Sequence, residues 1–306
     1  MHEHFVFAYP GIQGDRSMSH KHYSKEEIEN ACIDQASKLV SKGFKTVVDA
    51  TPNECGRDPV LLKKVSEATG LQIVCATGYY NAETSGTGYW GFRSHVGNPV
   101  DELTELFVHE LTVGIWDTDI KAGIIKVASS YGEAISDYEK MFFKAAANAQ
   151  KETGAVIYTH TSNGTGAEAQ ADVLVSYGAD PSKVVIGHMD NYIVPVLIER
   201  VLEKGFYIGL DRCGQTISSP TDEIRLYVLK ELIKKGYENR IVMSQDSEVF
   251  FLGRKFSFPK NLLYAFGEDF SMEHIVDKYI PMMKDAGITD NQINKFLEKN
   301  PCRLFS

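Results

Sequence analysis

Short apolar runs alternate with amphipathic stretches along the whole chain. Most of the apolar runs are nearly continuous, which is typical of parallel strands buried on both faces. Between them, apolar residues recur at the spacing of one helix face. The pattern predicts strands at about 2–7, 45–50, 71–77, 122–128, 155–160, 183–188, 206–211 and 240–246. It predicts helices at 25–42, 58–69, 100–113, 136–152, 166–177, 192–204, 221–235 and 272–286, with a short last helix near 289–298.

Proline and glycine mark several predicted boundaries. Asp58 followed by Pro59 is typical of a helix start, and Gly70 and Gly154 stand where a helix commonly ends. The repeated order of strand and helix predicts an α/β fold, a single (β/α)8 TIM barrel over residues 1–306, with an open doubly wound sheet as the alternative. Two connections, 80–99 and 247–270, are longer than usual, and we expect the second to form a lid loop.

Composition narrows the class of protein. The chain has 306 residues, of which 43% are hydrophobic, and this is ample for a large core. Its net charge of -9 argues against a nucleic-acid partner. No apolar run approaches the ~18 residues of a membrane span, and the five cysteines occur singly, as is typical of reduced thiols. We therefore expect a cytoplasmic protein that acts on a small molecule, without a membrane or nucleic-acid partner.

Potential metal ligands recur at the predicted ends of the strands. His2 and His4 are separated by one residue, so on a strand they point the same way and could bind one ion. Strands 4, 5, 6 and 8 end with Lys126, His160, His188 and Asp246. The carboxyl ends of barrel strands meet at the face that carries active sites. Each residue alone could be structural, a hydrogen-bonded histidine or a helix cap, but the set indicates a metal site.

Lys126 is the unusual member, because an ammonium group repels a metal ion. It fits the site if its amine has added carbon dioxide. The resulting carbamate is an anion that can bridge two cations.

These residues resemble the amidohydrolase superfamily, and the wider set is similar to its phosphotriesterase-related branch, which includes lactonases. The resemblance begins at His2-Glu3-His4 and spans nearly the whole chain. The supporting stretches are, in order, Val48-Asp49-Ala50-Thr51, Gly56-Arg57-Asp58, Ala76-Thr77-Gly78-Tyr79-Tyr80, Ala122-Gly123-Ile124-Ile125-Lys126, Thr159-His160-Thr161, Ile186-Gly187-His188, Gly209-Leu210-Asp211-Arg212 and Ser244-Gln245-Asp246.

The resemblance implies a binuclear metal centre. In this interpretation His2, His4 and Asp246 hold one divalent ion, and His160 and His188 hold the second. Carboxylated Lys126 bridges the two ions together with a hydroxide. Histidine-rich ligation completed by oxygen favours zinc, with manganese or cobalt as alternatives.

The resemblance also implies hydrolysis, in which the hydroxide attacks a substrate carbonyl and Asp246 is the general base. Tyr80 is expected to orient the substrate or stabilise the oxyanion. Arg212 is expected either to serve the site entrance and its loop contacts or to meet a substrate anion.

The implied substrate is a lactone, with phosphotriester hydrolysis as a side activity. The phenylalanines of 247–270 suggest an acyl-homoserine lactone, whereas Arg254 and Lys255 suggest a phosphorylated sugar lactone. Two alternatives stay open. One is an amidase that acts on an N-acyl amide through the same site, and the other is a non-catalytic metal-binding barrel.

The family carries a longer segment before its H-x-H, whereas this chain has Met1 alone at that place. Either the true N-terminal segment has been lost from this sequence, or strand 1 is abbreviated and the floor of the barrel is closed in another way. The resemblance further implies that the protein could form a homodimer.

Overall fold

The computed structural model describes residues 1–84, 88–216, 219–256 and 271–306. The strands within these ranges are β1 (His4–Phe7), β2 (Thr46–Asp49), β3 (Gln72–Gly78), β4 (Ile124–Ser129), β5 (Val156–Thr161), β6 (Val184–Ile186), β7 (Tyr207–Leu210), β8 (Ile241–Met243) and β9 (Glu248–Phe251). The α-helices are α1 (Lys25–Ser41), α2 (Pro59–Thr69), α3 (Gly88–Val96), α4 (Pro99–Thr112), α5 (Asp137–Thr153), α6 (Ala167–Ser176), α7 (Pro195–Glu203), α8 (Asp222–Lys234), α9 (Ile280–Asp285), α10 (Asp290–Asn294) and α11 (Asn300–Phe305).

Strand β1 closes the sheet into a barrel. Strands β2 to β8 are parallel and lie side by side in chain order. Next to β2, Glu3 forms a parallel bridge with Asp49. On the other side, the His4 amide donates to the Ser247 carbonyl at 3.0 Å, and β1 continues in parallel with β9, which follows β8 along the chain. The predicted (β/α)8 barrel is therefore confirmed.

The interior of the barrel is a compact apolar cluster. Side chains from the seven strands β2 to β8 meet there, including Val48, Ala76, Ile124 and Tyr158, and Leu304 of α11 packs among them. The helices bury their apolar faces against the outside of the barrel. This arrangement leaves the polar ends of the strands to form the site.

Two connections that the sequence presents as long loops contain regular structure. Segment 80–99 includes α3, and the described part of 247–270 includes β9. Neither Gly88–Val96 nor Glu248–Phe251 has a clear apolar period, so the sequence pattern alone did not show them. Residues 257–270 lie outside the described residues, and the lid loop stays a prediction.

The last predicted helices are interrupted. A π-helical turn at Ile275–Tyr279 precedes α9, and another at Lys295–Lys299 precedes α11. Pro281 and Pro301 stand at the starts of α9 and α11. Because proline has no amide hydrogen, the regular ladder of helical hydrogen bonds cannot continue through these positions.

Other local predictions agree with the structure. The Asp58 side chain caps α2 by accepting from the Leu61 amide at 3.0 Å, with Pro59 as the first helical residue. All five cysteines are free, as expected for reduced thiols. Of the helices in the described ranges, none has the length and apolar character that a membrane span requires.

Candidate metal centre and active site

His2, His4 and Asp246 form one group of potential ligands. The Nε2 atoms of His2 and His4 each lie 3.3 Å from Asp246 Oδ1. One ligand atom from each of the three residues lies within 4.8 Å of the others, and all three residues are buried. The group therefore fits a divalent cation bound by two imidazoles and a carboxylate.

His160, His188 and Lys126 lie beside this group. The Nδ1 atom of His160 is 2.7 Å from Nε2 of His188, and that Nε2 atom is 3.7 Å from Asp246 Oδ2. Lys126 Nζ lies 2.7 Å from His2 Nε2. The structure thus brings together every residue that the sequence proposed as a metal ligand.

Burial sets the protonation of these ligands. It lowers the pKa of His2 to about 3, with a further contribution from Lys126, and it lowers the pKa of His160 well below the usual histidine range. Neutral imidazoles are the form that binds metal ions. Burial would raise the pKa of Asp246, but hydrogen bonding and the charges around it, that of Arg212 among them, outweigh burial and hold that pKa well below the usual range. His2 and His160 are therefore neutral donors, and Asp246 is an ionised one.

Lys126 is 1% exposed, and within the described ranges no carboxylate forms an ion pair with it. Burial lowers the pKa of its amine to about 8. A buried ammonium group without an anionic partner is costly. Carboxylation of the amine would remove this cost and add an anionic ligand, so the surroundings of Lys126 fit the implied binuclear centre.

Asp211 orients two of the histidines, a role that the sequence did not reveal. Its Oδ2 lies 3.1 Å from His2 Nδ1, and its Oδ1 lies 2.8 Å from His188 Nδ1. Tyr158 donates its hydroxyl to Asp211 Oδ2 at 2.7 Å. These contacts turn both Nε2 atoms towards the proposed ions, as carboxylates beside metal-bound histidines commonly do. The sequence did place a carboxylate at the end of strand 7, within a stretch that resembles the family, and this position could have pointed to a role for Asp211 in the site.

A second grouping, His2, His188 and Asp211, also has ligand atoms close enough to hold an ion. It is the less suitable one, because Asp211 is already occupied by the Nδ1 atoms and by Tyr158. The Nδ1 atom of His4 is also hydrogen-bonded, since it lies 2.8 Å from Thr51 Oγ1, and its Nε2 atom is left for the ion.

The backbone is strained where two ligands leave their strands. His188 has φ 59° and Asp246 has φ 53°, both in the left-handed region that such residues rarely adopt. Strain of this kind concentrates at functional sites. Gly209 leaves room for the hydrogen bond between Tyr158 and Asp211, because a Cβ at this position would lie 2.6 Å from the Tyr158 hydroxyl.

Tyr80 and Arg212 line the same cleft as the ligands. The Tyr80 hydroxyl is 3.2 Å from His160 Nε2, and its backbone amide donates to Glu54 Oε1 at 2.7 Å. Burial raises the pKa of Tyr80 well above its ordinary value, so the phenol stays protonated. Arg212 donates from Nε to Asp246 Oδ2 at 3.1 Å.

The structure does not bring Arg254 and Lys255 to the cleft. Arg254 donates from Nη2 and Nε to Asp15 at 2.6 and 2.7 Å, and Lys255 Nζ lies 2.5 Å from Glu27. The two cations tie the chain after β9 to the segment before α1. The substrate-binding role predicted for them is therefore not supported, and sequence alone could not show that Asp15 and Glu27 lie opposite them.

Three further residues line the cleft, Tyr9, Gln215 and Glu248. Glu248 stands on β9 in register with His4. Burial, together with the neighbouring Asp246, raises the pKa of Glu248 to about 8. The sequence placed these residues in loops or left them without a role.

Arg225 of α8 supports the loop that carries Arg212 and Gln215. Its guanidinium is buried and donates to Asp190 Oδ2 at 3.0 Å, to Asp222 Oδ1 at 2.8 Å and to the Gln215 carbonyl at 2.6 Å. The Arg212 amide donates to the same Asp190 oxygen at 2.9 Å. One buried arginine thus fixes the backbone of two residues that line the cleft.

The chain is similar to known hydrolases along almost its whole length. The model of the phosphotriesterase family matches residues 1–305. An aryldialkylphosphatase of Saccharolobus solfataricus is 33% identical, with 100% of this chain and 94% of that protein covered. An N-acetyltaurine hydrolase of Dictyostelium discoideum is 32% identical, with 86% of this chain and 70% of that protein covered.

Solved structures of similar proteins lead to the same family. A mutant of a phosphotriesterase-like lactonase from Deinococcus radiodurans superposes with a TM-score of 0.95 at 42% identity, covering 100% of this chain and 94% of that one. An organophosphorus hydrolase from the same organism gives a TM-score of 0.95 at 42% identity, covering 100% and 91%. The resemblance seen in the sequence is confirmed, and the chain belongs to the phosphotriesterase family of hydrolases.

Proposed function

We propose that this hydrolase is a binuclear metal-dependent lactonase. The observation that carries the proposal is the convergence of His2, His4, His160, His188 and Asp246 on buried Lys126 at the carboxyl end of the barrel. The ligand types favour zinc, with manganese or cobalt as alternatives. When bound, two such cations lower the pKa of water between them and polarise a carbonyl oxygen.

Three residues of the chain would carry out the proton transfer and stabilise the charge that develops on the substrate. Asp246 is ionised, and its Oδ2 atom accepts the proton released during attack. Arg212 holds this carboxylate through Nε, so Oδ2 keeps its direction. Tyr80 keeps its phenolic proton and donates a hydrogen bond to the developing oxyanion.

The substrate we propose is a neutral lactone with an acyl chain. Arg254 and Lys255, the two cations that suggested a phosphorylated sugar lactone, are paired with Asp15 and Glu27 outside the cleft. Apolar surface is available instead, since Phe7 lines the cleft and packs against Phe251 with ring centroids 6.1 Å apart. Phosphotriester hydrolysis is proposed as a side activity, which the relative named aryldialkylphosphatase supports.

The test is an assay of the metal-loaded protein against acyl-homoserine lactones, a phosphorylated sugar lactone and an N-acyl amide. We expect turnover of the neutral lactones and loss of activity after the metal is removed by a chelator. Arg254→Ala and Lys255→Ala should leave KM for the phosphorylated lactone unchanged.

Amide hydrolysis without lactone hydrolysis would contradict the proposal. That result would favour the second candidate, an amidase, which the relatives named N-acetyltaurine hydrolase support. Stoichiometric metal without turnover of any of these substrates would instead favour a binding protein.

A further inference from the structure

Three polar residues that line the cleft, Tyr9, Gln215 and Glu248, have no part in the proposed chemistry. The three residues come from the segment after β1, the loop after β7 and strand β9. They share the cleft with the ligands, so a substrate bound there has to meet them.

Glu248 is placed in the cleft by the turn at Asp246. After this turn the chain resumes as β9, parallel to β1, with Glu248 opposite His4. Glu248 stands two residues beyond Asp246 and is partly buried. Glu248 therefore lines the cleft beside the ligand His4, where a substrate group next to the reacting carbonyl can contact it.

The Glu248 carboxyl is open to a ligand. Other carboxylates of the site are occupied: Glu3 accepts from Ser244 and two backbone amides, and Asp211 accepts from Tyr158 and two imidazoles. In the ranges that the structure describes, no other residue donates a hydrogen bond to Glu248 or forms an ion pair with it. Arg212, which lines the same cleft, is engaged by Asp246.

Within the described ranges the Glu248 carboxyl accepts from its own backbone amide alone, and a partly buried carboxyl with a free accepting oxygen favours a ligand that supplies a donor. A carboxyl group retains at least one accepting oxygen whether or not it is protonated. A substrate with an N–H group beside its scissile carbonyl complements Glu248, whereas one with a bare alkyl group leaves the carboxyl unpaired.

We infer that Glu248 is a specificity-determining residue, which accepts a hydrogen bond from an N–H group next to the scissile carbonyl. The preferred substrates are α-acylamino lactones, and lactones without that N–H are disfavoured. The inference rests on the proposed lactonase function and adds the residue that recognises the acylamino group of the substrate.

The experiment compares two lactones that differ by one hydrogen-bond donor. They are an α-acylamino-γ-butyrolactone and its N-methylated form, which keeps the acyl chain and the ring. We measure kcat/KM for both with the metal-loaded wild type, Glu248→Leu and Glu248→Gln. Glu105→Leu, on the exposed face of α4, is the matched control.

The wild type should prefer the N–H substrate by about 10- to 100-fold, the range of a hydrogen bond to a charged or buried group. Glu248→Leu should bring the ratio of the two kcat/KM values close to one. Glu248→Gln, which keeps an accepting oxygen, should retain most of the preference, and Glu105→Leu should retain all of it.

Equal kcat/KM for both lactones in the wild type, or a ratio unchanged in Glu248→Leu, would overturn the inference while leaving the lactonase proposal intact. Failure of the wild type to hydrolyse either lactone would overturn the lactonase proposal, and the inference with it. Glu248→Ala, which removes the carboxyl without adding bulk, should likewise bring the ratio close to one, and it keeps the test decisive if Glu248→Leu does not fold.

Discussion

Glu3 accepts a hydrogen bond from the backbone amide of Ser247 across 3.0 Å. The same carboxylate accepts from the Gln245 amide at 2.9 Å and from the Ser244 hydroxyl at 2.6 Å. These donors flank Asp246, so the residue between His2 and His4 fixes the turn that presents the catalytic carboxylate. The H-x-H stretch thus supplies two metal ligands and the support of a third.

Replacing Glu3 by alanine should therefore be costly. The change leaves the buried donors of Ser244, Gln245 and Ser247 without this acceptor, and we expect the free energy of unfolding to fall by about 2–4 kcal/mol. Urea denaturation measures this. Glu29→Ala, which removes the half-exposed partner of the exposed Lys64, should change stability by less than about 0.5 kcal/mol. An equally small effect at Glu3 would show that the turn does not depend on it.

Asp211→Asn tests the orientation of the histidines. The amide keeps the shape of the side chain but cannot accept from His2, His188 and Tyr158 with both oxygens. Metal affinity should fall by about 10- to 100-fold, as measured by competition with a chromophoric chelator. Asp172→Asn, at an exposed partner of Lys204, is the control. Unchanged affinity in Asp211→Asn would remove Asp211 from the metal centre.

Most of the fold followed from the sequence because buried parallel strands and amphipathic helices have distinct apolar periods. The metal ligands followed as well, since strand ends of a barrel converge. Asp211 and Glu248 did not, because their roles depend on which side chain lies opposite, and the apolar period carries no such information. Arg254 shows the reverse: its charge was visible in the sequence, but its partner Asp15 lies far from it along the chain.

Arg225→Leu tests the buried network under the loop of Arg212. The substitution leaves Asp190 and Asp222 as buried carboxylates without their cation, and unfolding free energy should fall by about 3–5 kcal/mol. Thermal and urea unfolding report the change. Arg200→Leu, which breaks an exposed pair with Glu168, should have little effect. Comparable stability of the two variants would argue against a structural role of the network.

Glu139 should make stability depend on pH. Burial opposes ionisation of this group, but hydrogen bonds from Ser130, Ala82 and Ser136 outweigh it and lower its pKa below the ordinary value. A depressed pKa contributes stability that is present above the pKa of the unfolded chain, about 4.3, and is lost as pH falls through the lower folded value. The wild type should thus lose stability in acid.

The measurement compares unfolding free energies of the wild type and Glu139→Gln at pH 7 and at pH 3. The difference between the two proteins should be larger at pH 7. Glu105→Gln, at an exposed position of α4, should show no such trend. A difference that grows towards acid would reverse the sign assigned to Glu139.

The binuclear centre is the central claim, and anomalous diffraction from crystals of the zinc-loaded protein tests it most directly. We expect two anomalous peaks, one among His2, His4 and Asp246 and one beside His160 and His188. Density should continue past Nζ of Lys126 as a carbamate that contacts both peaks. A single peak, or a Lys126 side chain that ends at Nζ, would contradict the account.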